Sequence, residues 1–178
     1  MTRCRWYIRN AVSVHLYGIS RVDVLLMKTI GVIADTHGLL REEAIGLLAG
    51  SDLILHAGDI GKLDVIVGLQ QIAPVIAVRG NVDKEPWADD FEAVEAIEVG
   101  GKFLYLIHNV NELDVDPVGQ FDAVIFGHSH KPVNEVRDGV LFFNPASAGP
   151  RRFKLPIAVG KIRISDSEVS AEIIEIDI

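Results

Sequence analysis

The sequence predicts an α/β (α+β) fold in which two β-sheets pack face to face with helices outside. Three observations carry that expectation. Up to residue 80, short apolar runs alternate with stretches of helical spacing. Beyond residue 90, nearly every apolar segment reads as a strand. The roughly ten strands that result exceed one comfortable open sheet, so two stacked sheets are expected.

The elements follow in order. Residues 28–34 (KTIGVIA) form a β-branched apolar run that stops at the turn-forming cluster Asp35-Thr36-His37-Gly38. Residues 40–49 carry apolar side chains at 40, 44, 45, 47 and 48, a helical pattern that Gly50 would cap. Residues 52–57 read as a second buried strand before Gly58-Asp59. Residues 63–72 read as a second helix, weakened by Gly68, and 74–78 as a third strand closed by Gly80-Asn81. Strands written as continuous apolar runs are buried on both faces, and with intervening helices they predict a parallel arrangement. Residues 91–99 alternate, Lys102–Ile107 is apolar up to His108, and 112–119 is at most a short helix. Residues 121–126, Val133–Arg137, 140–143, 157–164 and 169–178 complete the strands.

The chain of 178 residues fits one domain able to bury its own core. Residues 1–26 stand apart. Four arginines (Arg3, Arg5, Arg9, Arg21) against Asp23 give a net of +3 and leave −11 for the remainder. Met27-Lys28 reads like a second beginning before a strand. Residues 1–26 are therefore expected to be a disordered or non-native N-terminal extension, the alternative being an extra strand or binding arm; 27–178 is the folded domain. The apolar stretch from Ala11 is broken by His15, Arg21 and Asp23, so it is not a convincing signal peptide. The single Cys4 cannot form an intramolecular disulfide, and no uncharged apolar run reaches membrane-spanning length. A cytoplasmic protein is expected. The net charge of −8 argues against nucleic acid as the main partner.

Chemistry concentrates where strands end. Asp35 and His37 follow the first strand of the domain, Asp59 the second and Asn81 the third. His108 ends a later strand, and His128 and His130 follow another. Ligands gather beyond the carboxyl ends of parallel strands, so these seven groups can converge at one edge. Taken singly, each has a bland reading as a turn or cap residue; His56 reads as a packed histidine. Together, carboxylate, imidazole and amide oxygen without thiolate suit Mn, Fe or Zn rather than Ca. The set is too large for one tetrahedral ion. It suits two ions about 3.5–4 Å apart, bridged by one carboxylate.

The ordered set Asp35-x-His37, Gly58-Asp59, Gly80-Asn81-x-Asp83, His108 and Gly127-His128-x-His130 resembles the calcineurin-like metallophosphoesterases. The resemblance covers about residues 28–150. It implies a four-layer αββα sandwich of two mixed sheets flanked by helices. It also implies two divalent ions, Mn2+ foremost, with Fe, Zn and Ni as alternatives. Asp35, His37, Asp59 and His130 would hold one ion, Asp59 would bridge, and Asn81, His108 and His128 would complete the second site. Residues 144–149 (NPASAG) are similar to the Asn-Pro-Gly-Ser segment of the small phosphodiesterase branch, with Ala146 in place of glycine. Val82 stands where many relatives carry a histidine that protonates the leaving group. Arg79 matches an arginine that clasps phosphate in some phosphatases, and Asp83 is expected to orient a ligand. The implied activity is hydrolysis of small or activated phosphodiesters by metal-bound hydroxide, at a site where Asp59, Arg79 and Asp83 serve catalysis. Two other readings stand beside it. One is a protein-binding scaffold of the same fold, as in retromer; the other is a metal-dependent nuclease. Edge strands are expected to permit a homodimer.

Overall fold

The computed structural model describes residues 13–16, 19–22, 29–165 and 168–177. In chain order, the strands and α-helices are β1 (Ser13–Leu16), β2 (Ile19–Val22), β3 (Thr29–Ile33), α1 (Glu42–Leu48), β4 (Leu53–His56), α2 (Leu63–Leu69), β5 (Val75–Ala77), β6 (Val94–Val99), β7 (Lys102–Ile107), β8 (Ala123–Ile125), β9 (Val133–Arg137), β10 (Val140–Asn144), β11 (Ala158–Ile164) and β12 (Val169–Glu175). They build two mixed sheets. One has the order β12-β11-β3-β4-β5 and the other β1-β2-β6-β7-β8-β10-β9.

Side-chain alternation along each strand separates the layers. Ile30 and Val32 of β3, with Leu53 and Leu55 of β4, face Ile97, Leu104, Leu106, Ile125 and Phe143 of the larger sheet. This is the sandwich core. The intervening residues Ile33 and Ile54 point the other way, onto Leu48 of α1 and Val65, Ile66 and Leu69 of α2. Gly31 lets α1 lie close, since a Cβ there would meet Leu48 Cδ2 at 2.7 Å. Each large apolar side chain buried in these layers contributes roughly 1.5–3 kcal/mol, against about 0.3–1 kcal/mol for Glu42 and Glu43 in the uncapped first turn of α1. Packing, not capping, holds the seven-residue helix.

The outer face of the larger sheet, with Tyr105, Val124, Phe126 and Phe142, is covered by Val110, Leu113, Phe121 and Val133. The expected short helix over 112–119 is instead a 3-10 turn at Val110–Glu112, so this fourth layer is thin. Pro117 and Gly119 leave too little uninterrupted chain for an α-helix there. A further 3-10 turn, Pro86–Asp90, has Pro86 at its start. Within the segment expected to be an extension, β1 and β2 pair antiparallel, and β2 runs parallel beside β6. Residues 1–12, 17–18 and 23–28 lie outside the described residues.

The topology sets up one edge. β3, β4 and β5 are parallel neighbours, so their carboxyl ends emerge together. β7 and β8 are parallel neighbours in the other sheet. Backbone bonds then stitch the exits: Asp35 N to Gly58 O at 3.0 Å, His37 N to Asp59 O at 2.9 Å, and Gly127 N to His108 O at 2.9 Å.

Candidate metal centre

Each strand exit turns sharply as it leaves its sheet. Asp35, His37, Asp59, His128 and His130 all have φ between 48° and 65°. Non-glycine residues seldom adopt this left-handed region, and clusters of such residues mark functional sites. The turns carry these side chains within two to five residues of the end of a rigid strand. Neighbouring glycines make room. A Cβ on Gly80 would overlap the backbone nitrogen and Oδ1 of Asp59, and one on Gly58 (φ +84°) would stand 2.6 Å from His108 Nδ1.

All seven expected donors arrive at this edge. His130 Nε2 lies 3.4 Å from Asp35 Oδ1 and 3.3 Å from His37 Nε2. Asp59 divides its two oxygens. Oδ2 faces His37 Nε2 at 3.8 Å and Oδ1 faces His108 Nε2 at 3.3 Å. Asn81 Oδ1 lies 3.2 Å from His108 Nε2 and 3.0 Å from His128 Nδ1. Donor atoms of Asp35, His37 and His130 form one compact group, and those of Asp35, Asp59 and His108 another.

Backbone contacts orient these side chains. His108 Nδ1 is 2.8 Å from the Ala57 carbonyl. That oxygen only accepts, so Nδ1 carries the hydrogen and Nε2 turns toward Asp59 and Asn81. Asp83 accepts from the backbone nitrogens of Gly80 (2.8 Å), Ile60 (3.0 Å) and Gly61 (2.8 Å), tying the β4 exit to the β5 exit. Its carboxylate thus positions loops and stands outside both donor groups. Arg79 donates Nη1 to Phe91 O at 2.8 Å, and lines a cleft of about 320 Å³ with Gly80, Asn81 and His108. His56 is fully buried, as the sequence suggested, with Nε2 2.9 Å from Thr36 Oγ1. Thr36 in turn donates to Ile60 O, so the imidazole is the donor in that pair.

The electrostatics fit cations. Asp35 is wholly buried and its Oδ2 has no hydrogen-bond partner. Burial, opposed by His108 and reinforced by Asp59, pushes its carboxyl up to about 7. Burial, aided by Arg152, takes His130 down to about 4, and His130 Nδ1 is also unpartnered. Burial lowers His37 against the pull of Asp59. For His108, burial opposes the charge, but hydrogen bonds to Asp59 and Ala57 outweigh it and the group is raised. Buried carboxylates and neutral imidazoles that converge lone pair on lone pair are costly unless a positive charge sits among them. The oxygen and imidazole donors, with no thiolate, suit divalent ions of the Mn, Fe and Zn kind.

The model of the calcineurin-like phosphoesterase superfamily domain matches residues 27–167. The chain belongs to this superfamily. A probable metallophosphoesterase of Methanothermobacter thermautotrophicus is 34% identical over 82% of this chain and 91% of its own. Among solved structures, an archaeal phosphodiesterase superposes with a TM-score of 0.68 at 26% identity, over 82% of this chain and 99% of that one. Vps29 of Chaetomium thermophilum shares the fold, with a TM-score of 0.66 at 17% identity over 82% and 96% of the two chains. The calcineurin-like superfamily binds divalent metals, and this member is a metal-dependent phosphoester hydrolase.

Two further features complete this calcineurin-like centre, the second of them absent from the sequence expectations. Ala146, in place of glycine, keeps a left-handed φ of 77°. The Asn144 side chain holds the segment, accepting from Ala146 N at 2.9 Å and donating to Gly127 O at 2.7 Å, while Ser147 Oγ donates to Asp35 O at 2.9 Å. The other is Arg152, whose Nη2 lies 3.3 Å from His37 Nε2. Its only sequence signal was the basic run Arg151-Arg152-Phe153-Lys154 after the Asn-Pro segment.

Proposed function

We propose that this chain is a dinuclear phosphodiesterase acting on small or activated phosphodiesters. The division of Asp59 carries the reading: one oxygen faces His37 and the other His108, which sets this carboxylate between the two ion positions, beside Asp35, whose donor atoms belong to both compact groups. Asp35, His37, Asp59 and His130 would hold one ion, and Asp59, Asn81, His108 and His128 the other. Mn2+ is the first candidate, followed by Fe, Zn and Ni. Bound there, the ions supply Lewis acidity and lower the pKa of a water at neutral pH.

The remaining roles belong to the chain. His108 is locked by Ala57 with Nε2 toward the centre. Asp83 fixes the loops that bear Asp59 and Asn81. Arg79, at the cleft shared with Asn81 and His108, offers donors to a phosphate held against that side. Val82 is 42% exposed beside Asn81 and offers no proton. Departing groups of low pKa are therefore favoured. The complete donor set favours an enzyme over a scaffold, and the acidic chain favours small substrates over nucleic acid.

The test is hydrolysis of an aryl diester, an aryl monoester, a cyclic nucleotide and single-stranded DNA, each with Mn2+, Zn2+, Ni2+ or Fe2+. The aryl diester with Mn2+ is expected to turn over fastest, and Asp59→Asn to lose on the order of a hundredfold or more. Full Mn2+-dependent activity in Asp59→Asn overturns the bridging role; fastest turnover of DNA makes the protein a nuclease.

A further inference from the structure

We infer that Arg152 is a substrate-positioning residue that grips the phosphate from the His37 side of the centre. The inference rests on the dinuclear reading above and extends it to a residue outside the metal motifs.

The geometry is specific. Arg152 follows the Asn144–Ser147 turn that holds the backbone of Asp35 and Gly127, so its loop starts from the floor of the centre. Its Nη2 reaches His37 Nε2 across 115 positions of sequence. That nitrogen is the one turned toward His130 and Asp59. Among the described residues no carboxylate forms an ion pair with this guanidinium. Arg163, by contrast, is paired with Glu172 and Lys102 with Asp122. Arg41 does not compete, since its Nη2 donates to Gly149 O.

A guanidinium has donors only, and a histidine lone pair is a poor partner for it once that lone pair serves a cation. The donors of this exposed guanidinium then face the same space, where an anion's oxygens can replace water. Phosphate suits a guanidinium fork, which can give two parallel hydrogen bonds. The positive charge is already felt in the centre, where Arg152 lowers Asp35, His37 and His130. Arg79 lines the cleft by Asn81 and His108, whereas Arg152 lies against His37, so the two arginines reach different members of the donor groups. A phosphate held by Arg152 would meet on the Arg79 side only the donors that the bond from Arg79 to Phe91 O leaves over.

Arg151 supplies the control. It is exposed on the same loop, but lines a separate cleft with Lys154, Pro156, Glu175 and Asp177. Removing it changes the net charge equally and leaves the direct contact intact.

The test is titration of inorganic phosphate into the full-length, Mn2+-loaded protein by calorimetry, with metal content measured in parallel. Arg152→Gln should weaken phosphate binding roughly ten- to hundredfold, the range for a hydrogen bond to a charged group. It should retain its metal and raise KM for an aryl diester more than it lowers kcat. Arg152→Lys should recover part of the affinity, and Arg151→Gln should match the parent. Parent-like phosphate binding by Arg152→Gln overturns the inference, and so does loss of metal in that variant, which would make Arg152 a prop for His37. A parent protein that takes up no metal instead sinks the dinuclear reading, and this inference with it.

Discussion

Val82 follows Asn81 directly, and its backbone nitrogen donates to Asp59 Oδ1 at 3.1 Å. Its half-exposed side chain is therefore held at the rim of the donor cluster. An isopropyl group there cannot give up a proton, so the cost of expelling a basic alkoxide falls on solvent. The rate should depend steeply on leaving-group pKa. Val82→His places an imidazole with an ordinary pKa near 6.5 at that rim. General acid catalysis typically contributes 10²–10⁴-fold. At pH 6 the variant should gain about tenfold or more on an alkyl ester while an aryl ester changes little. Equal gains on both would show that position 82 does not face the leaving group. The backbone bond to Asp59 is unaffected by the substitution, so metal content should be unchanged.

At the scale of elements, the sites are built from strand, glycine and left-handed turn. Gly80 shows the dependence most sharply. It ends the β5 exit, packs its α-carbon on Asp59, and donates its nitrogen to Asp83. Gly80→Ala must push the Asp59 loop aside, because the new methyl would overlap the Asp59 backbone nitrogen as well as its Oδ1. We expect the variant to keep its circular dichroism spectrum but lose at least half its bound metal, measured by elemental analysis after dialysis. Full metal occupancy would show that the loop yields without cost. This part was legible in the sequence, since polar residues after apolar runs at Asp35, Asp59, Asn81 and His108 locate strand exits by pattern alone. Other parts were not legible. Arg152 and His37 are 115 positions apart, and their contact is made by an irregular loop with no periodicity to read. The thin cover over the larger sheet was also hidden. Val110, Leu113 and Phe121 are apolar enough for a helix, but Pro117 and Gly119 interrupt the chain between them. The edge strands β9 and β12, by contrast, were legible, although β9 is exposed at four of its five positions and β12 is mostly only partly buried.

At the scale of the whole molecule, folding and metal uptake are coupled through protons. The adjacent strands β3 and β4 bring Asp35 and Asp59 together inside the protein, and without a cation the chain answers by holding a proton on Asp35 up to about pH 7. The raised value fixes the sign. In the metal-free protein the contribution of Asp35 to stability is fully present below its ordinary pKa of 3.8 and is lost as pH rises through about 7. A divalent ion reverses this, because it binds the carboxylate and competes with the proton. His108, also raised, must give up its Nε2 proton on the same occasion. His130 and His37, both lowered, present neutral nitrogens at mildly acidic pH and impose little further cost. His56, held down to about 3 by burial, destabilises the fold as pH falls from 6.5 toward 3. It does so with or without metal, and so cancels in a difference. The melting temperature gained on adding Mn2+ should therefore be small at pH 5 and grow up to about pH 8. Affinity should weaken roughly tenfold per pH unit below 7 for each proton displaced. At a thousandfold excess of ion over Kd the full stabilisation is about 4.1 kcal/mol. Paired thermal melts with Mn2+ and with chelator across this range measure it directly. A gain that stays constant from pH 5 to 8 would mean that Asp35 already carries its charge in the metal-free fold, and that the two sheets meet the cost of that buried carboxylate by other means.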